Sequence, residues 1–229
     1  MYNYSRKDLG KVATETGFIR DNLEKVFRLC NILEYLNSNP LLVEHLALKG
    51  GTSINLTVFS LPRLSVDIDL DFSKECDREE MIRIRENINS DLLNFMYSQD
   101  YILSPNTKNP HSLDSWSFYF QNSAGNKDNI RIEINYSMRN HIFPIEKRTV
   151  NAELLGIEYE VNTLSILELF GTKIKALIER TAPRDLYDVQ NMIKHNIIHS
   201  EEQDLLRKII LFYLALGAKN KIVLPFNFE

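Results

Sequence analysis

The chain lacks the features that mark several large classes of protein. Only two of its 229 residues are cysteine, Cys30 and Cys76, so we expect neither a disulfide framework nor a thiolate zinc site. No segment approaches the ~18 consecutive apolar residues of a membrane span, and the opening residues MYNYSRKDLGK lack the apolar run of a signal peptide. We therefore expect a cytoplasmic protein with no membrane partner.

Several common catalytic and metal-binding patterns are missing as well. The five histidines share no metal-ligand spacing, and no serine or cysteine nucleophile motif is present. The segment GGTS lacks the Gly-Lys-Ser/Thr ending of a P-loop, which argues against an ordinary P-loop nucleotidase. The net charge of −4 argues against broad electrostatic binding to nucleic acid, although a local basic surface is compatible with it.

The remaining composition, 44% hydrophobic and 25% charged, is that of an ordinary globular protein. Hydrophobic periodicity predicts both helices and strands, and the hydrophilic segment QNSAGNKDN is predicted to be a hairpin loop. The predicted elements are N-terminal helices over about 5–46, a helix capped by Asp77 and ending at about Phe95, strands at about 65–72, 100–105, 114–121 and 129–137, and helices from Leu164 to about Leu216.

Three aspartates alternate along the segment VDIDLDF. Because successive side chains of a strand point to opposite faces, Asp67, Asp69 and Asp71 are expected to share one face. Neighbouring carboxylates would lie about 7 Å apart and repel by roughly 2 kcal/mol at an effective dielectric of about 20. A divalent cation would offset that cost, and carboxylates without histidine or thiolate partners favour Mg²⁺ or Mn²⁺ over zinc. The alternative is a solvated sheet edge whose charges discourage pairing with other strands.

A glycine turn precedes the acidic strand. The short apolar run at 47–48 is expected to end a strand, and Gly50 with Gly51 permits a tight turn. Thr52 or Ser53 is expected to cap the helix that follows. The unpaired N–H groups and partial positive charge at the start of such a helix suit a phosphate. A phosphate-binding turn followed by paired carboxylates is suited to holding a metal–nucleotide complex.

The segments GGTSINL and RLSVDIDLDF together resemble the signature of the AbiEii/AbiGii toxin family of nucleotidyltransferases, within the DNA polymerase β-like superfamily. Asp67 and Asp69 match the two carboxylates that the superfamily places one residue apart on a strand. Arg63 and Ser65 match the Arg-x-Ser that precedes this pair, although Arg63 is also consistent with a surface counter-charge. The resemblance assigns no role to Asp71. It implies an α+β fold with a mixed sheet, N-terminal helices and a helical C-terminal lobe.

A third carboxylate of the superfamily pattern is matched on a later strand. In IRIEINY, isoleucines alternate with polar residues, which is typical of a half-buried strand. Glu133 lies on the polar face of that strand. If the strand pairs beside the aspartate strand, Glu133 completes the metal site or acts as the base for the attacking hydroxyl. Periodicity alone favours the alternative that Glu133 is an exposed charge on the polar face of an amphipathic strand.

A second set of matching residues lies in LFGTKIKALIERTAPRDLYDVQNMI. Lys173 and Arg180 are two helical turns apart and share a side of one helix, and Pro183 is expected to begin the next helix. An ordinary structural interpretation pairs Arg184 with Asp188 at i,i+4. The segment nevertheless resembles the C-terminal motif of the same family, K-x-x-A-[ILM]-x-x-R-x-x-x-R-D-[LIF]-x-D, at Lys173, Ala176, Arg180, Arg184, Asp185 and Asp188.

The residue patterns and the resemblance together give the candidate site residues. Asp67, Asp69 and Glu133 would bind Mg²⁺ or Mn²⁺, and Lys173 and Asp185 would join them as catalytic residues. Lys173 would contact the nucleotide phosphates, with Lys175 as a nearby competitor for that role. The implied nucleotide-binding set is Gly50, Gly51, Thr52, Ser53, Arg63, Ser65, Lys173, Arg180 and Arg184.

The implied activity is transfer of a nucleoside monophosphate from a nucleoside triphosphate to an acceptor. We expect a nucleotidyltransferase core with N-terminal helices at 1–162 and a helical lobe at 163–229. The family further implies a toxin of a type IV toxin–antitoxin or phage-defence system, a cognate antitoxin as partner, and tRNA or another RNA as acceptor. The alternatives are a non-catalytic nucleotide-binding module and a phosphotransferase that uses the same cleft.

Overall fold

The computed structural model describes residues 5–105, 107, 109, 111–152 and 155–217. Its helices are α1 Arg6–Thr16, α2 Arg20–Ser38, α3 Pro40–His45, α4 Gly50–Thr57, α5 Arg78–Ser98, α6 Ile166–Arg180, α7 Pro183–Lys194 and α8 Gln203–Gly217, with a short 3-10 helix at Ser200–Glu202. Its strands are β1 Leu46–Lys49, β2 Asp67–Phe72, β3 Ile102–Leu103, β4 Leu113–Gln121, β5 Lys127–Asn135, β6 Glu146–Ala152 and β7 Ile157–Thr163.

The seven strands form one mixed sheet in the order β3-β4-β5-β2-β1-β7-β6. Strand β2 pairs with β5 in parallel, and β1 pairs with β7 in parallel. The other four pairings are antiparallel. This mixed sheet with helices before and after it confirms the expected α+β fold. No described helix has the length and apolar character needed to cross a bilayer.

The chain divides into two compact units, Met1–Leu164 and Ser165–Glu229. The first unit contains the whole sheet with α1–α5, and the second contains α6–α8. In the second unit, α6 packs closely against α8: a Cβ added at Gly171 of α6 would lie 2.5 Å from Ile209 of α8. The predicted functional division between a nucleotidyltransferase core at 1–162 and a helical lobe at 163–229 stays a prediction.

The core of the first unit explains why the acidic strand has two different faces. Ile68, Leu70 and Phe72 are buried, as the alternation of β2 requires. The isoleucines of β5 on the same side are also fully buried. The opposite face of β2 carries the aspartates, of which Asp67 and Asp69 are half-buried. The sheet therefore presents one apolar face to the core and one acidic face beside β1 and β5.

Two buried polar contacts fasten helices to the sheet. Asp114 of β4 is fully buried and accepts two hydrogen bonds from Arg85 of α5, at 2.9 and 2.6 Å. Glu24 of α2 is also buried, and it accepts the backbone N–H of Ser123 in the turn between β4 and β5 at 2.8 Å. Charge-assisted hydrogen bonds thereby hold α5 to β4 and α2 to the turn that follows β4.

The sequence predicted several element boundaries and missed others. Asp77 caps α5 through the backbone N–H of Glu80, and Pro183 begins α7, as expected. The predicted hairpin loop at 121–129 is too long, because β4 continues to Gln121 and β5 begins at Lys127. Strands β6 and β7 were not predicted at all. Their alternation is weak, since β6 is rich in charged and polar residues on an edge of the sheet.

Candidate active site

The acidic face is centred on three neighbouring strands. In the register of the sheet, Lys49 of β1 lies beside Asp69 of β2, and Asp69 lies beside Glu133 of β5. Neighbouring strands are separated by about 4.8 Å, so these three residues form a row across the sheet. Strand β5 pairs directly beside the acidic strand β2, which is the condition under which Glu133 was expected to join the site.

Gly50 brings the start of α4 against Asp69. Its backbone has φ 72°, in the left-handed region that glycine adopts without strain. A Cβ at this position would lie 2.5 Å from Asp69 Oδ2. Helix α4 begins at Gly50 with Lys49 as N-cap, so the expectation that Thr52 or Ser53 caps the helix is wrong. The glycine is needed both for the turn and for the close approach to the carboxylate.

The hydroxyl groups of Thr52 and Ser53 point into the protein. Thr52 is buried, donates to the carbonyl oxygen of Asp67 at 2.5 Å and contacts Ser65 Oγ at 2.9 Å. Ser53 is fully buried, and its Oγ lies 2.5 Å from Thr163 Oγ1. These contacts fix α4 to the start of β2 and to the end of β7. A phosphate at the start of α4 would therefore meet the backbone N–H groups of these two residues rather than their hydroxyls.

Arg63 lies in the segment that leads into β2. It is half-buried, and its Nη1 donates to the carbonyl oxygen of Leu64 at 3.4 Å. Ser65 lies two residues further on and contacts Thr52, so the Arg-x-Ser segment is joined to the glycine turn. Nucleotide binding by Arg63 and Ser65 stays a prediction.

Two carboxylates of the acidic face are compensated by cations of the same unit. Asp71 is buried, and its Oδ1 accepts from Lys49 Nζ at 2.5 Å. Glu133 Oε2 accepts from Arg131 at 2.9 Å, and its Oε1 accepts from Ser115 at 2.8 Å. Within the described part of the chain, the structure gives the carboxylates of Asp67 and Asp69 no hydrogen bond or ion pair.

The electrostatic environment of Asp69 reflects this arrangement. Burial raises the pKa of Asp69 above its usual value, and neighbouring Asp67 and Glu133 raise it further. Lys49 and Arg131 act in the opposite direction but do not cancel these effects. The ionised form of Asp69 is therefore disfavoured by its surroundings, and an additional cation would stabilise it.

The donor atoms fit a hard divalent cation, although only partly as predicted. Asp67 and Asp69 supply uncompensated carboxylate oxygens, which Mg²⁺ and Mn²⁺ prefer. Among the described residues, however, no three His, Cys, Asp or Glu side chains converge in a metal-binding arrangement. The physical reason is that Glu133 is held by Arg131 and Ser115, while Asp71 is held by Lys49. Metal binding by Glu133 stays a prediction and requires it to leave these partners.

The second unit contains the other predicted set. Lys173 of α6 is buried, and its Nζ lies 3.1 Å from both Asp185 Oδ1 and Asp188 Oδ2 of α7. Arg180 donates to Asp185 through Nε at 2.6 Å and through Nη2 at 2.9 Å. Both aspartates are fully buried, whereas Arg184 is exposed. The structure thus joins Lys173, Arg180, Asp185 and Asp188 in one ion-pair network.

Asp185 is the centre of this network. Burial by itself would raise the pKa of Asp185, but the hydrogen bonds from Arg180 and Lys173 outweigh it and lower the pKa below its usual value. The carboxylate is therefore ionised and fixes the positions of two cations. Its geometry is that of a residue that orients Lys173, and its catalytic role stays a prediction.

Residues 31–225 match the family described as "Nucleotidyl transferase AbiEii toxin, Type IV TA system". The chain belongs to the AbiEii toxin family. The match extends over most of the chain and confirms the resemblance found in the glycine turn, the acidic strand and the α6–α7 segment. As a family member, the chain is a nucleotidyltransferase toxin of the type IV toxin–antitoxin class.

Two solved structures share the AbiEii-family fold of this chain. MenT4, a nucleotidyltransferase toxin from Mycobacterium tuberculosis H37Rv, superposes with a TM-score of 0.65 at 16% identity, over 93% of this chain and 70% of its own. JHP933 from Helicobacter pylori superposes with a TM-score of 0.54 at 20% identity, over 86% of this chain and 82% of its own. At these identities the likeness shows the fold alone. No curated protein matches the chain.

Sequence reasoning missed two cations of the acidic face, Lys49 and Arg131. Lys49 directly precedes the glycine turn, and Arg131 lies two positions before Glu133 on the same face of β5. The alternation of β5 placed Arg131 beside Glu133, but the partner of Lys49 depends on the register between β1 and β2. No local signal in the sequence gives that register.

Proposed function

We propose that this toxin transfers a nucleoside monophosphate from a nucleoside triphosphate to an acceptor hydroxyl. The acceptor oxygen would form a bond to the α-phosphorus, the bond between that phosphorus and the bridging oxygen would break, and pyrophosphate would leave. One observation carries the proposal: the uncompensated carboxylates of Asp67 and Asp69 lie beside the glycine-opened start of α4. Such a site can accept a cation and an anionic phosphate together.

In this proposal Asp67 and Asp69 hold Mg²⁺ or Mn²⁺. When bound, the ion supplies positive charge that offsets the charge of the triphosphate. Asp69 is positioned for this role by β2 and by its contact with the glycine turn. Glu133 either adds a third ligand or accepts the proton of the attacking hydroxyl, after its oxygens leave Arg131 and Ser115.

The start of α4 is the proposed phosphate site. The first N–H groups of a helix have no partner within it and carry partial positive charge. Gly50 has no side chain to block access beside Asp69, and the buried hydroxyls of Thr52 and Ser53 keep the turn rigid. We assign phosphate binding to the backbone of residues 50–53, supported by the approach of this turn to Asp69.

The network of the second unit supplies the remaining proposed residues. Lys173 would contact the nucleotide phosphates, and Arg180 and Arg184 would add positive charge. Asp185 would act as a positioning residue because it holds both Lys173 and Arg180 by charge-assisted hydrogen bonds. Lys175 is the nearby alternative to Lys173, and its ammonium group is paired with Glu179 at 2.7 Å.

The biological role follows from family membership together with this chemistry. We infer that an RNA, with tRNA as the first candidate, accepts the nucleotide, and that a cognate antitoxin opposes the toxin. A contribution to phage defence is part of the same proposal. The proposed cell compartment is the cytoplasm, where tRNA and nucleoside triphosphates are found.

A label-transfer experiment tests the proposed reaction. The full chain is incubated with Mg²⁺, total cellular RNA and protein, and a nucleoside triphosphate labelled at either the α- or the γ-phosphate. Label should reach RNA only from the α position. Transfer only from the γ position would indicate a phosphotransferase, and transfer from neither, with nucleotide bound, would indicate a binding module.

Paired variants connect this reaction to the site. Asp67→Asn and Asp69→Asn should abolish label transfer, because each removes one of the uncompensated carboxylates. Asp204→Asn is the matched control, since that aspartate is exposed on α8 and pairs only locally with Arg207. Full activity in the folded Asp67→Asn/Asp69→Asn double variant would overturn the proposal.

A further inference from the structure

Among the described residues around Asp69, four carboxylates and two cations lie on the acidic face of the first unit. The carboxylates are Asp67, Asp69 and Asp71 on β2 and Glu133 on β5. The register places Arg131 beside Asp67 and Lys49 beside Asp69, so both cations lie on the same face as the acids. Each cation, however, contacts a carboxylate other than its direct cross-strand neighbour.

Lys49 forms an ion pair with Asp71. The two charged atoms are 2.5 Å apart, and only 6% of the Asp71 side chain is exposed. The residue directly opposite Asp71 on β1 is Ala47, whose short side chain leaves room for the lysine to reach across. A buried carboxylate needs a partner, because an uncompensated buried charge is costly. Lys49 therefore occupies the place that a cation from solution would otherwise take beside Asp71.

Arg131 compensates Glu133 in the same way but less firmly. Their closest charged atoms are 2.9 Å apart, and 51% of the Arg131 side chain is exposed. Ser115 donates to the other oxygen of Glu133, so both oxygens of this carboxylate are in use. Two of the four negative charges are thus matched within the chain. The two that remain, on Asp67 and Asp69, equal the charge of one divalent ion.

We propose that Lys49 and Arg131 limit the nucleotide-free acidic face to a single divalent cation, held by Asp67 and Asp69. Lys49 keeps Asp71 out of the coordination of that ion, and Arg131 keeps Glu133 out of it. The inference rests on the proposed metal site and specifies how many ions that site holds. It also explains why three carboxylates share one face of β2 when only two are left for a metal.

Measuring how many Mn²⁺ ions bind to the nucleotide-free full chain tests the proposal that the acidic face holds one divalent cation. The free ion is followed by electron paramagnetic resonance while Mn²⁺ is titrated into the protein. We expect one ion per wild-type chain. Lys49→Met should bind a second ion, or bind the first at least about tenfold more tightly, because an unpaired Asp71 adds a negative charge beside the site. Lys49→Met/Asp71→Asn should return the count and the affinity to near the wild-type values.

Two further variants keep the test decisive. Lys147→Met removes an exposed lysine from β6, three strands away from β2, and should leave Mn²⁺ binding unchanged. Asp71→Asn leaves the charge of Lys49 uncompensated beside Asp69 and should weaken Mn²⁺ binding by about tenfold. This isosteric change provides the answer if Lys49→Met does not fold.

The outcomes separate this inference from the proposed function. Two ions on the wild-type chain, or Mn²⁺ binding that is the same in wild type, Lys49→Met and Asp71→Asn, would overturn the inference and leave a metal site at Asp67 and Asp69 standing. A wild-type chain that binds no Mn²⁺ would refute the proposed metal site and this inference with it.

Discussion

Gly50 lies so close to Asp69 that a side chain at position 50 would displace the carboxylate. The Cβ of an alanine at position 50 would lie 2.5 Å from Asp69 Oδ2, and the backbone at this position has φ 72°. The position of the start of α4 and the position of the acidic strand therefore depend on each other. A change on one side of this contact must move the other.

Gly50→Ala should consequently impair both the turn and Asp69. The left-handed backbone costs an alanine roughly 1–2 kcal/mol, and the steric contact displaces the carboxylate in addition. We expect a loss of nucleotide transfer and weaker Mn²⁺ binding in a protein that is still folded. Gly10→Ala is the control, because nothing lies within 4 Å of a Cβ at that helical position. Wild-type activity in Gly50→Ala would contradict the close contact.

Asp185→Asn should affect turnover more than substrate binding. Its carboxylate holds Lys173 and Arg180, and a hydrogen bond between charged groups is worth roughly 1.5–3 kcal/mol, or about ten- to a hundredfold in rate if it acts in the transition state. Steady-state kinetics on labelled nucleotide would separate kcat from KM. Normal turnover in Asp185→Asn beside an inactive Lys173→Ala would limit Asp185 to a structural role.

The lowered pKa of Asp185 also predicts that the effect of Asp185→Asn on stability depends on pH. The pKa of Asp185 in the folded protein is lowered from 3.8, so its ionised form stabilises the native state above that pH. As the pH falls below 3.8 and through the lower folded value, this contribution is lost. The difference in unfolding free energy between wild type and Asp185→Asn should therefore be largest near neutrality and shrink in acid. Urea denaturation at several pH values measures it, and a constant difference would refute the prediction.

Arg85→Met should destabilise the first unit strongly. It would leave the fully buried carboxylate of Asp114 without its two hydrogen bonds from the guanidinium, and breaking a buried pair in this way costs about 3–5 kcal/mol. Arg207→Met is the matched control, because its partner Asp204 is exposed and such surface pairs contribute about 0–1 kcal/mol. Equal denaturant midpoints for the two variants would contradict this prediction.

The two cysteines should differ sharply in reactivity. Burial raises the pKa of the Cys30 thiol to about 12, so little thiolate is available for reaction in the folded protein. Cys76 is only partly buried. With Ellman's reagent at pH 8, one thiol should react in the native state and two in denaturant. Cys76→Ser should abolish the native reaction, whereas its persistence would show that Cys30 is accessible.

Local sequence signals predicted the parts of the fold that depend on neighbours along the chain. The cap at Asp77, the helix start at Pro183 and the two faces of β2 each follow from the type or spacing of nearby residues. The pairing of Glu133 beside Asp69 could be proposed only because the family pattern supplied it. Periodicity alone left Glu133 as an ordinary exposed charge.

Contacts that depend on register between strands could not be predicted. Lys49 is separated from Asp71 by 22 residues, and only the antiparallel pairing of β1 with β2 brings them together. Strand β6 was missed because only Val150 and Ala152 are buried in it, too few to produce a strand pattern. Sequence therefore located the carboxylates of the site but gave no information on which of them are already neutralised.

The hydrogen bond between Ser53 and Thr163 can form only late in the synthesis of the chain. It joins residues 110 positions apart, at the point where β1 pairs with β7. On the ribosome, the turn and the acidic strand emerge long before Thr163, so β1 remains an open sheet edge during that interval. A truncated chain that ends before β7 should keep that edge unpaired and aggregate, even though it contains every carboxylate of the acidic face.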